Sequence, residues 1–415
     1  MTKTARHATL TSASLWPISE SASHSFRIAL LSALSLFAIT TVGCNMNSSK
    51  VSNTQPPPPP VTPSAPNELP ITVSAGPGSS SAVNRPYASV TICVPGTSNC
   101  QTIDNVLVDE GSTGLRIFSS VVTLPLAPQP APFGATYECF PLTNNYAWGP
   151  VVTADIHLSG EIAPSASIQL MGDTTFSPPA SCANGLMADS TPQQAGLNGV
   201  LGVWGLSDCG VSCVAGGPND YWGCASSACQ PYLAGPAQPV SNPVSLFATD
   251  NNGVVFDMPG ISATGAMNVQ GSLYFGIGTE ANNQLGSAHQ YQLPMFTQIG
   301  GIPYPVGIDS GTPFIGYLND SLAGGLPLCG AIYCPSSPVS FNFEVFGAND
   351  AAFNVAATSA DPTTSLQLGM TADQTLMGQG PGGNTVILGF PFFYNTRIFF
   401  SWANPATGSI DYMAF

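Results

Sequence analysis

Two short segments of this chain carry residues that could do acid–base chemistry. Asp109-Glu110-Gly111-Ser112 follows the apolar run Val106 to Val108, and Asp309-Ser310-Gly311-Thr312 follows Val306 to Ile308 in the second half of the sequence. In both, a buried strand delivers an Asp onto a tight turn whose glycine lets backbone amides approach the carboxylate. Two carboxylates brought together can do what one cannot: the ionised member takes a proton from water while the protonated member polarises a carbonyl. At ~3 Å and an effective dielectric of ~20 they repel by ~5.5 kcal/mol, about four pKa units, so the pair holds one shared proton over a wide acidic range. Ser112 and Thr312, fourth in each turn, could hydrogen-bond the outer carboxylate oxygens. A single Asp on such a turn usually caps its own backbone; two matching turns favour an inward-facing pair.

The elements that must position this pair are strands. The chain alternates short runs of Val, Ile, Phe, Tyr and Thr with Gly, Pro and Asn-Gly punctuation. With Gly at 43 positions and Pro at 39, long helices are excluded by the helix cost of both residues. Each half also ends on a hydrophobic-hydrophobic-Gly segment, Gly199-Val200-Leu201-Gly202 and Val386-Ile387-Leu388-Gly389. This double arrangement resembles the pepsin-like aspartic peptidases, in which two homologous lobes each supply one D-[TS]-G-[ST] turn backed by such a strand. Tyr87 to Pro95 is similar to the opening hairpin of that family, Gly271 to Gly276 to an early strand of its second lobe, and Ile387 to Ile410 to its closing segment. The chain also resembles a group of uncharacterised exported bacterial proteins of the same architecture.

The resemblance implies an all-β, bilobal pepsin-like acid protease fold: two pseudo-symmetric six-stranded lobes, residues 85–240 and 241–415, with a cleft between them and a crossover near the Pro-rich stretch 235–243. It implies Asp109 and Asp309 as catalytic residues, turn support from Gly111, Ser112, Ser310, Gly311 and Thr312, and neither cofactor nor metal. The substrate it implies is an extended peptide or unfolded protein, taken by a monomer.

Two positions depart from the family. Glu110 stands where the family has Thr or Ser, whose hydroxyl donates to the opposite turn and locks the two together; an ionised carboxylate cannot donate. Glu110 must therefore face outward, be protonated, or pair with a cation, for which Arg116 is a candidate. Phe390 stands where the closing motif commonly has Asp. A flap is expected in the hairpin-like region Tyr137 to Gly149, with Tyr146 and Trp148 as flap aromatics or, favoured here, as packing residues between strands.

The N-terminus reads as an export signal. Lys3, Arg6 and Arg27 precede the apolar run Ile28 to Val42, too short to span a bilayer comfortably but suited to a signal-peptide core. Gly43-Cys44 resembles the bacterial lipobox, which implies cleavage after residue 43, lipidation of Cys44 and, with Asn45 next, the outer membrane. Ordinary periplasmic or secreted release is the alternative. Residues 44–84, rich in Pro, Ser, Thr and Asn and including Pro56 to Pro60, read as an extended tether; a pro-segment is the other reading.

Without Cys44, the chain's Cys 11 reduce to an even set: Cys93, Cys100, Cys139, Cys182, Cys209, Cys213, Cys224, Cys229, Cys329 and Cys334. An even set in an exported chain suggests disulfides. Cys93/Cys100 and Cys329/Cys334 would close short loops and Cys139/Cys182 a longer one. Zinc at Cys209, Cys213, Cys224 and Cys229 is the weaker alternative, for want of a CxxC knuckle.

Charge removes other functions. Lys plus Arg number 7 against 22 Asp plus Glu, and a phosphate backbone needs clustered cations, so nucleic acid is excluded as a partner. Beyond the tether only His157 and His289 remain, and no Gly-x-Ser-x-Gly elbow accompanies them, which argues against a nucleophile–His triad. Two functions stay open: an aspartic endopeptidase, and a binding or interaction lipoprotein on a scaffold that has lost turnover.

Overall fold

The computed structural model describes residues 63–78, 82–141, 145–183, 187–208, 221–235, 237–317, 324–380, 384–404 and 409–415. The signal segment, Cys44, Cys209 and Cys213 lie outside them. The described residues are all-β with a few one-turn helices, as the density of Gly, Pro and β-branched residues requires.

Each half contains the same three-strand device. In the first, the strand Cys100–Asp109 is half exposed at its start and wholly buried over its last four residues, where it passes between neighbours. It pairs in parallel with Gly199–Val203, Val106 opposite Gly199 and Asp109 opposite Gly202. The strand leaving the turn, Thr113–Phe118, pairs antiparallel with the other side of Gly199–Val203. In the second half Ile302–Ile308 pairs in parallel with Val386–Leu388, with Ile308 opposite Leu388, and Ile315–Tyr317 lies on the other side. A central strand flanked by the arms entering and leaving an Asp turn is thus built twice, which gives the bilobal, pepsin-like architecture.

The glycine closing each central strand is dictated by crowding. A Cβ on Gly202 would lie 2.7 Å from the backbone of Ser112 and Thr113, and one on Gly389 would lie 2.0 Å from the Phe314 carbonyl oxygen. Immediately beyond, Trp204 N–H donates to the Ser112 carbonyl at 3.0 Å and Phe390 N–H to the Thr312 carbonyl at 2.8 Å. Phe390 is therefore accommodated: its amide ties down the second turn while its fully buried ring stacks on Phe393 at 5.3 Å.

The lobes are not two separate six-stranded units. One sheet of sixteen strands and one of nine account for the pairing, and the larger runs continuously from the first lobe into the second. The join is the strand Glu68–Val73, which pairs along its whole length with Val269–Phe275, from Glu68 opposite Tyr274 to Val73 opposite Val269. This corrects the tether, expected to reach residue 84. Leu69, Ile71 and Val73 alternate inward and are buried, a period-2 signal that the Pro and Ser content of the surrounding stretch obscured. Asn84, fully buried, follows in the same segment. At the end of the Pro-rich stretch the Asn242 side chain donates to the Val203 and Gly205 carbonyls at 3.0 and 2.9 Å.

Four disulfides are formed among the described residues: Cys93–Cys100, Cys139–Cys182, Cys224–Cys229 and Cys329–Cys334. The first, second and fourth are the pairings expected from spacing. Cys224–Cys229 removes two of the four thiols from the zinc alternative. Such cross-links belong to a chain exported to an oxidising compartment. No helix among the described residues is long and apolar enough to cross a membrane.

Candidate active site

Asp109 and Asp309 end the two parallel-paired strands and meet where the halves face each other, 2% and 3% exposed. Their inner oxygens converge on one point: a Cβ on Gly111 would lie 2.7 Å from Asp309 Oδ1 and 3.2 Å from Asp109 Oδ1. Each is held by its own turn in the same way. Asp109 Oδ1 accepts from Gly111 N–H at 2.9 Å and Oδ2 from Ser112 Oγ at 2.5 Å; Asp309 Oδ1 accepts from Gly311 and Thr312 N–H at 2.8 and 3.1 Å and Oδ2 from Thr312 Oγ1 at 2.6 Å. Ser112 and Thr312 thus hold the outer oxygens, and the turn amides hold the inner ones.

The turn glycines are required by this closeness. A Cβ on Gly111 would lie 2.7 Å from Asp309 Oδ1, and one on Gly311 would lie 2.7 Å from Asp109 Oδ1. Each turn therefore packs bare backbone against the other lobe's carboxyl, which no side chain would permit.

Electrostatics divide the pair. Burial raises Asp109, but the Ser112 hydroxyl, the Asp309 carboxyl and the Gly111 and Gly311 amides all favour its charged form. Burial and then the Asp109 charge push Asp309 much further up. Both carboxyls are raised by burial, so the pair titrates as a unit and holds one shared proton.

Glu110 faces inward, 4% exposed. Its Oε2 accepts from Ser310 N–H at 3.1 Å, its own N–H donates to Ser310 Oγ at 2.8 Å, and that hydroxyl donates to the Val108 carbonyl at 3.1 Å. The two turns are cross-bonded, with Ser310 as donor and acceptor and Glu110 supplying the return acceptor. Burial first, then Asp309 and Asp109, push Glu110 well above the usual carboxylate range. Of the outcomes open from sequence, the protonated one fits.

Arg116 does not pair with Glu110, which corrects the expectation. Its guanidinium, 1% exposed, lies 2.5 Å from Glu138 Oε1 and 3.0 Å from Asp208 Oδ2, and its Nη1 donates to the Thr113 carbonyl at 2.6 Å. It also lies 3.6 Å from the Phe140 ring centroid. Tyr221 Oη donates to Asp208 at 2.7 Å, and Gln169 holds the Glu138 carbonyl at 2.9 Å. The network joins the strand leaving the first turn to the hairpin strand Ala135–Pro141. Thr113 directly follows the dyad turn, so the cluster buttresses the site without touching it. No spacing rule pointed to partners 22 and 92 residues away.

The expected flap hairpin exists as Ala135–Pro141 paired with Asn145–Leu158, Cys139 opposite Trp148 and Pro141 opposite Tyr146; its turn, residues 142–144, lies outside the described residues. Tyr146 and Trp148 are not cleft-facing. They are 6% and 3% exposed in a cluster with Tyr137, Cys139, Cys182 and Trp222, and Trp148 Nε1 donates to the Phe176 carbonyl. The packing alternative is the one the structure supports. Asn84 was not anticipated: its amide donates to the Pro313 carbonyl beyond the second turn at 2.8 Å and to the Asp373 carbonyl at 2.6 Å, and its oxygen accepts from Asp373 N–H and Tyr394 Oη.

Among the described residues no group of three or more His, Cys, Asp or Glu is arranged to hold a metal ion. Fold and site together define a pepsin-like scaffold with paired carboxyls on duplicated turns. The chain belongs to the family described as Protein of unknown function (DUF3443), whose model matches residues 63–415. No curated protein matches it. Among solved structures, it is similar to the crystal structure of aspartic proteinase from Irpex lacteus, with 13% identity, 84% of this chain and 96% of that chain covered, and a TM-score of 0.49.

Proposed function

We propose that this protein is an aspartic-type endopeptidase of the bacterial cell envelope. The observation that carries the reading is the convergence of two buried carboxyls, each packed against the other turn's glycine and held at its outer oxygen by a hydroxyl of its own turn. Ionised Asp109 takes a proton from a water placed between the pair, the resulting hydroxide adds to the scissile carbonyl, and Asp309 gives its proton to the carbonyl oxygen. Collapse of the tetrahedral adduct then returns a proton to the leaving amine. The substrate is an extended, mainly apolar stretch of unfolded protein. Cleavage after residue 43, lipidation of Cys44 and an outer-membrane tether shortened to end before Glu68 complete the proposal.

A second reading, a binding protein without turnover, is favoured by one observation: the third buried carboxyl, Glu110, where a hydroxyl is expected. Digestion of an unfolded protein by the purified chain between about pH 3 and 6, where such pairs share a proton, separates the two. Cleavage that disappears in Asp309→Asn supports the peptidase; no cleavage by wild type across that range supports the binder.

A further inference from the structure

Outside the paired aspartates, the most unusual chemistry in the molecule is the third carboxyl beside them. Glu110 is 4% exposed and shares its turn with Asp109, while Asp309 and Ser310 face it from the opposite turn. The charged groups acting on it are Asp309 and Asp109, both acidic. The three cations of the described residues are engaged elsewhere: Arg85 Nη1 on the Ala195 carbonyl at 2.7 Å, Arg116 on Glu138 and Asp208, Arg397 on Asp257 at 2.5 Å. Three buried carboxyls without a cation cannot all be charged. The dyad claims the single charge, because the hydroxyls and amides of its two turns stabilise a carboxylate there.

We infer that Glu110 is a positioning residue carried as the neutral acid, which bonds the two catalytic turns together as an uncharged acceptor and makes that lock fail when it ionises. The bond it accepts is from Ser310 N–H, one residue from Asp309. In its neutral form the carboxyl fills the acceptor role of a hydroxyl and adds no charge to the dyad. Once ionised, it faces Asp109 and Asp309 across a dry interface and drives the turns apart. The lock is therefore closed in acid and opened by alkali. The inference holds whether or not the dyad turns over substrate, so its test uses a readout independent of cleavage.

The test is a carboxyl-carbon NMR titration of the full chain labelled at the side-chain carboxyl of its seven glutamates. The resonance missing from Glu110→Gln is expected to stay at the protonated position through about pH 7, far above the ordinary glutamate pKa of about 4.3. If that resonance instead titrates with an ordinary glutamate midpoint, the inference is overturned. Should Glu110→Gln not fold, Glu110→Thr supplies the assignment. Should neither fold, wild type decides: at least one glutamate resonance must remain protonated at about pH 7, and none doing so overturns it. Where cleavage is measurable, Glu110→Gln extends the alkaline limb of its pH profile upward and leaves the acid limb in place. An unmoved alkaline limb also contradicts the inference.

Discussion

Ser310 and Glu110 hold the two halves of the site together: the Glu110 amide donates to the Ser310 hydroxyl at 2.8 Å, and the Ser310 amide donates to the Glu110 carboxyl at 3.1 Å. The pair is reciprocal in hydrogen bonding and unequal in chemistry, a hydroxyl on one side and a carboxylic acid on the other. That inequality sets the pH behaviour expected of the whole site.

Asp309→Asn should abolish general acid catalysis while leaving the turn intact, since the amide keeps the shape of the carboxyl. Cleavage is expected to fall by about 10²- to 10⁴-fold, the range for loss of a positioned proton donor. Because Asp309 is raised by burial and by Asp109, the same change should also increase stability at neutral pH. Kinetics and urea denaturation on the one variant check both; lost activity together with lower stability would indicate a collapsed turn instead.

Stability should decline from acid towards neutral pH. Glu110 and Asp309 both have folded-state pKa values raised well above the ordinary carboxylate range, burial being the largest cause. Above the unfolded pKa of about 4 the unfolded chain releases these protons while the folded chain keeps them. Each retained proton then costs about 1.4 kcal/mol per pH unit until the folded pKa is reached. Urea denaturation at a series of pH values reads this directly. Stability that climbs between about pH 4 and 7 would contradict the protonated, buried carboxyls.

Arg116→Met should be among the most damaging single changes outside the dyad. It strands Glu138 and Asp208, 0% and 8% exposed at the side chain, and breaking a buried ion pair from one side costs about 3–5 kcal/mol. Replacing Arg116, Glu138 and Asp208 together with apolar residues of similar volume should recover most of that loss. A double-mutant series by denaturation distinguishes this from simple loss of packing, for which the triple variant would be worse than the single.

Much of this arrangement was legible because it is local. An Asp after a buried strand, a glycine turn, a hydroxyl at the fourth place and a closing glycine strand are short-range patterns, and their repetition identified the fold and the paired aspartates. The short-loop cysteine pairs were legible for the same reason. What stayed hidden is long-range. Arg116 finds Asp208 across 92 residues, and nothing in the spacing distinguishes that carboxylate from Glu110, six residues away. The strand Glu68–Val73 was masked by its proline-rich neighbourhood even though Leu69, Ile71 and Val73 alternate. Tyr146 and Trp148 carried a usable signal: two residues apart on one strand, they share a face, and that face is the interior.

Among the disulfides, Cys139–Cys182 should matter most. It closes a separation of 43 residues against 5 for Cys224–Cys229. By chain entropy it contributes roughly 4 kcal/mol against about 2 for the shorter loop. It also ties the flap hairpin to its neighbouring segment. Thermal denaturation of the paired Cys→Ala variants should rank them in that order; equal losses would argue that strain or native contacts dominate over loop length.

The most direct test of the central claim is an experimental structure of the chain with a statine-type peptide, whose hydroxyl mimics the attacking water in the tetrahedral adduct. The account predicts that hydroxyl between Asp109 and Asp309, within hydrogen-bonding distance of both inner oxygens. A mimic bound elsewhere, or excluded from the space between the two carboxyls, would contradict it.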